Sequence, residues 1–100
     1  MYKKWKQDFY ISWEDEQDPA IDFTFRLRYC DGRMVTSFDI YDTDHDYELK
    51  FMRRNDAYRV AKNLQNEYLV AGLDVPAMEI IWYSTIQKKI AFVENIKSDS

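Results

Sequence analysis

The run IDFTFRLRYCDGRMVTSFDI, residues 21–40, constrains the fold of this chain more than any other stretch. Ile21, Phe23, Phe25, Leu27 and Tyr29 alternate with Asp22, Thr24, Arg26 and Arg28. A period of two is the mark of a half-buried strand. Asp31-Gly32 follows, and both residue types tolerate the positive φ angles that a two-residue type I′ turn requires. Such a turn pairs Tyr29 with Met34, Leu27 with Thr36, Phe25 with Phe38 and Phe23 with Ile40. Opposed residues share a face, so the odd apolar set would meet the even one all along the ladder. The pattern predicts a hairpin.

The flanking segments extend this to a sheet. Residues 5–13 place Trp5, Phe9, Ile11 and Trp13 on one face, with Lys6, Asp8, Tyr10 and Ser12 on the other. In the expected register Asp8 opposes Arg26. Residues 47–52 place Tyr47, Leu49 and Phe51 together as a fourth strand. A helix is expected to open at Asn55 or Asp56, both good N-caps. Its buried stripe is Ala57, Val60, Ala61, Leu64, Tyr68 and Ala71, and Gly72 supplies the stop. Ile80-Ile81-Trp82-Tyr83 is β-branched and aromatic, hence a strand. Beyond it the residues fit either a hairpin partner with Ile90, Phe92 and Ile96 inward, or a helix opened by a Ser84/Gln87 capping box. The strand-like run at 90–93 favours the hairpin. The expected architecture is a single α+β domain over residues 1–100, fraying at 97–100. It has a four-stranded antiparallel meander, one helix on the inner face, then a C-terminal strand and a hairpin strand or short helix.

Composition removes several function classes. The formal charge of −4 disfavours non-specific nucleic-acid binding. One cysteine, Cys30, allows neither an intrachain disulfide nor a cysteine-based zinc cluster, and fits a reducing cytoplasm. No apolar run approaches the roughly 20 residues that span a bilayer, and the basic start (Lys3, Lys4, Lys6) is not followed by the apolar stretch of a signal peptide. The only glycines are Gly32 and Gly72, so no glycine-rich phosphate loop exists. Neither does a G-x-S-x-G elbow.

The charge is uneven. Residues 1–50 carry 12 acids and 7 bases, residues 51–100 carry 6 and 7. In a meander the loops after the first and third strands lie at one end, where Asp22 falls near Tyr41. Glu14, Asp15, Glu16, Asp18, Asp22, Asp42, Asp44 and Asp46 therefore converge there. Asp42, Asp44 and Asp46 match the first three ligand positions of an EF-hand loop, but Tyr47 and Arg53 stand where its glycine and bidentate glutamate belong. His45 and Cys30, at opposite ends of an extended strand, would lie about 25 Å apart, too far for a catalytic dyad. The favoured reading is a non-enzymatic, accessory or inhibitor-like domain that needs no cofactor or metal. It would bind a protein with a basic surface through the acidic end. The alternatives are a nucleic-acid binder using Lys6, Arg26, Arg28 and Lys50 on the outer sheet face with Arg33 at the hairpin tip, or a weak divalent-cation module. Cross-strand ion pairs are the plainer explanation of that basic face.

Overall fold

A computed structural model describes residues 22–41 and 43–98. Its elements in chain order are β1 (Phe23–Tyr29), α1 (Ser37–Ile40), α2 (Arg54–Val70), β2 (Met78–Ser84) and β3 (Lys89–Ile96). The three strands form one antiparallel sheet in the order β1-β2-β3. The α+β class and the main helix agree with the sequence reading. The four-stranded meander does not appear among the described residues. The expected strand at 5–13 and the loop after it lie outside the described residues.

β1 alternates as its sequence dictates. Phe25, Leu27 and Tyr29 are buried, while Arg26 and Arg28 turn to the other face. Its ladder partner, however, is β2 rather than the chain after the Asp31-Gly32 turn. Phe25 lies opposite Trp82, Leu27 opposite Ile80 and Tyr29 opposite Met78.

The turn explains why the expected ladder stops. The Gly32 N–H donates to the Tyr29 carbonyl (2.9 Å), and Gly32 takes a φ of 99°. This is a three-residue connection, a tight turn with a glycine bulge, rather than a two-residue type I′ turn. Asp31 contributes by accepting the Arg33 N–H on Oδ1 (2.9 Å). The extra residue slips the register by one, so Arg28 faces Met34 and the Val35 N–H donates to the Leu27 carbonyl (3.0 Å). A one-residue slip inverts every side chain. Val35 and Ser37 point inward and are fully buried, whereas Met34 is half-buried and Phe38 stands 48% exposed.

After that single bridge the chain bends into α1. Thr36-x-x-Asp39 has the spacing of a helix-opening box. The Asp39 carboxylate accepts the Thr36 N–H (2.8 Å), closing the turn. Ile40 returns to the core. The expected fourth strand is likewise reduced to single bridges, Thr36 with Glu48 and Phe25 with Phe51. Phe25 and Phe51 exchange both backbone bonds (2.9 and 2.8 Å). Leu49 is buried and Phe51 packs on the core, but Tyr47 faces out.

α2 lies over the face of β1 and β2 that carries Leu27 and Ile80. Ala57, Val60, Ala61 and Leu64 form its buried stripe, as the helical spacing requires. It starts at Arg54, with Arg53 at the N-cap two or three residues ahead of the expected one and no side-chain cap bond. Asp56 instead sits in the first turn, where a carboxylate complements the helix dipole. The stop is at Gly72. Its φ is 76°, its N–H bonds Leu69 and the next N–H bonds Tyr68, a Schellman closure. Gln65 and Asp56 are the polar members of the buried set. Gln65 Nε2 donates to the carbonyls of Pro76 (2.9 Å) and Lys97 (3.2 Å), tying the chain before β2 and after β3 to the helix.

β2 and β3 form the hairpin that the sequence favoured. The Ser84/Gln87 spacing is used in its turn: Ser84 Oγ accepts the Gln87 N–H (2.9 Å), and Lys88 adopts a φ of 58°. Ile96 is inward, but Ile90 and Phe92 are exposed, contrary to expectation. A bulge accounts for part of this: Trp82 faces Phe92 while Tyr83 faces Ile90, leaving Ala91 unpaired.

Candidate functional site

The best-built surface feature is the loop at 43–47, held on the buried Ser37. The Ser37 hydroxyl donates to the His45 carbonyl (2.8 Å) and accepts the Tyr47 N–H (2.9 Å). The Ser37 N–H donates in turn to the Tyr47 carbonyl (2.9 Å). A further bond runs from the His45 N–H to Thr43 Oγ1 (3.3 Å). One buried serine thus fixes the loop at two points. Asp44, His45 and Asp46 are exposed around it, with Tyr47 at 52% exposure and Phe38 presented from the neighbouring α1.

Of the eight acids expected to gather, Glu14, Asp15, Glu16, Asp18 and Asp42 lie outside the described residues. Asp44 and Asp46 share the Ser37-held loop. Asp22 belongs to different surroundings: its carbonyl accepts the Thr85 N–H (3.0 Å) in the β2–β3 turn. Its expected position beside Tyr41 depended on pairing Phe25 with Phe38, and Phe25 pairs with Trp82 and Phe51 instead. Among the described residues no group of three or more His, Cys, Asp or Glu is placed to hold a metal ion.

The arginines each lie beside a carboxylate. On the sheet face away from α2, Arg26 Nε lies 3.0 Å from Glu48 and Arg28 Nε 2.8 Å from Glu79. Arg33 reaches Asp39 (3.4 Å) and stacks its guanidinium 4.2 Å from the Tyr29 ring centroid. The basic spot at the start of α2 is neutralised in the same way. Arg53 and Arg59 each lie 3.8 Å from Asp56. Arg54 grips Glu94 with two nitrogens and lies 4.7 Å from the Tyr58 ring centroid. Arg54 is the main reason that Glu94 is held below the ordinary carboxylate range, and the Trp82 indole N–H, 3.2 Å from Glu94, adds to it. Arg26, Arg28 and Arg33, the arginines of the alternative nucleic-acid reading, thus each lie beside a carboxylate. Lys6, the remaining member of that face besides the exposed Lys50, lies outside the described residues.

Cys30 sits exposed at the tip of the β1 turn. Desolvation, then the Glu79 carboxylate, push its thiol above the usual value, the wrong direction for a nucleophile. The separation from His45 estimated along an extended strand no longer applies, because α1 replaces that strand.

Sequence reasoning missed Ser37, Glu94 and Gln65. A serine in an alternating run reads as an outward strand position, so its clamp depends on the register slip. The Thr36/Asp39 spacing was the one local signal of α1. Glu94 and Gln65 are held by partners far along the chain, which no local pattern marks. No membrane-crossing helix occurs among the described residues. No family model, curated protein or solved structure matches the chain.

Proposed function

We propose that the chain is a protein-binding domain without catalytic activity of its own, and that it contacts a protein with a basic surface through the 43–47 loop and the adjoining Phe38. The observation that carries this reading is the combination of exposed aromatics and acids on a loop pinned by a buried serine. Phe38 and Tyr47 are about half exposed beside Asp44 and Asp46. Aromatic side chains are enriched at protein interfaces and supply much of their binding energy. Rim carboxylates add steering and partner choice more than affinity. A loop already held in one shape loses less entropy on binding. The paired state of Arg26, Arg28, Arg33 and Arg54 weighs against nucleic acid as the partner.

The test is affinity capture with the wild-type chain, with Asp44→Asn/Asp46→Asn and with Tyr47→Ser, each first shown to be folded. A partner with a basic surface should be retained by wild type, lost from both variants and released as salt rises. The same proteins retained equally by all three would refute the assignment of this surface.

A further inference from the structure

Among the described residues, β3 has one edge that no strand pairs with. Lys89, Ile90, Ala91 and Phe92 are all exposed, with Ile90 at 51% and Phe92 at 56%. An unpaired strand edge is a row of free N–H and C=O groups that another strand can complete, and proteins usually guard it with charge. Here the charges stand at the two ends, Lys88 and Lys89 before the apolar run Ile90-Ala91-Phe92-Val93 and Glu94 after it.

The bulge gives this arrangement a symmetry. Lys89 lies across from Ser84 and Glu94 across from Ile80, both even positions of β2. They therefore share a face, although five residues apart on a regular strand would put them on opposite faces. Ile90 and Val93, across from Tyr83 and Ile81, share the other face. We propose that β3 pairs antiparallel with β3 of a second copy about a two-fold axis between Ala91 and Phe92. Lys89 of each copy then lies opposite Glu94 of the other, and Ile90 opposite Val93. The strand is complementary to itself in charge, which is what an isologous contact requires. Glu94 accepts three hydrogen bonds from Arg54 and Trp82, and a carboxylate has about four acceptor sites. Capacity remains for Lys89 of the partner copy. None of the residues of the 43–47 loop takes part.

Sedimentation of the full chain from about 10 μM to about 1 mM spans the range of modest self-association. Wild type should convert from monomer to dimer as concentration rises. Phe92→Lys and Lys89→Glu, both at exposed positions and checked by circular dichroism, should each weaken the dimer at least tenfold. A monomer throughout would overturn the proposal. So would a dimer that both variants leave intact, or a monomer with slow exchange at the 90–93 amides, which would mean that the chain's own residues cover the edge.

Discussion

Replacing Ser37 with alanine removes one oxygen atom and tests the structural basis of the loop surface. Ser37 is fully buried, and its Oγ makes two bonds, to the His45 carbonyl and from the Tyr47 N–H. Each intramolecular hydrogen bond is worth a net ~1 kcal/mol, so their joint loss costs about 2 kcal/mol. Two effects reduce that figure. His45 and Tyr47 are exposed residues, so their orphaned groups can turn to water. Alanine is also the better helix former, by up to about 0.5 kcal/mol. The expected loss is therefore about 1–2 kcal/mol, or a fall in melting temperature of roughly 5–15 °C for a chain of this size. The local effect is more telling. Hydrogen exchange at Tyr47 should accelerate about tenfold beyond the global change, because its amide loses its only acceptor in the loop while the Ser37 N–H to Tyr47 carbonyl bond remains. Urea unfolding gives the global figure and amide exchange by NMR the local one. If Tyr47 exchange follows global stability alone, Ser37 does not hold the loop, and the preorganised surface loses its foundation.

The register slip predicts that Val35→Ala costs about 2 kcal/mol, from two buried methyl groups at ~0.8 kcal/mol each plus the cavity. Met34→Ala should cost less than about 1 kcal/mol; urea midpoints in the reverse order would restore the two-residue turn. The Arg54–Glu94 pair predicts an acid limb. Glu94 is held below its ordinary range when folded, so its contribution is present above the unfolded value of about 4.3 and is lost as pH falls through the folded one. Urea midpoints measured from pH 6 to pH 2 should fall less steeply for Glu94→Gln, and parallel curves would show that the pair adds nothing.

The main helix and the inward face of β1 were legible because their signals are local and redundant. The 3.6-residue stripe of α2 ends at a glycine, and five alternating apolar residues admit one inward face. The segment at 33–52 was misread for an equally physical reason. Asp-Gly serves a two-residue turn and a bulged three-residue one, and the choice inverts the side chains that directly follow it, Met34 to Phe38. Once Val35 and Ser37 were inward, Phe38 and Ile40 could no longer both reach the core from a strand, and Thr36 and Asp39 were spaced to open a helix instead. Of the expected acidic end, five acids lie outside the described residues. The placement of Asp22 beside Tyr41 depended on a ladder that the slip abolishes, while Asp44 and Asp46 are exposed as turn-rich acids are.

β1 sits between β2 on one edge and the bridges to Met34 and Phe51 on the other, and its ladder partners are about fifty or more residues later in the chain. Assembly of the core therefore waits on a contact of high sequence separation, which slows folding relative to a helical domain of equal length. During synthesis Phe25, Leu27 and Tyr29 leave the ribosome long before Trp82, Ile80 and Met78 exist to cover them. Until β2 arrives, α2 and the core residues Val35, Ile40 and Leu49 offer them apolar surface among the described residues. A chain cut after α2 would hold every residue of the 43–47 loop and still lack the strand that completes the sheet behind it.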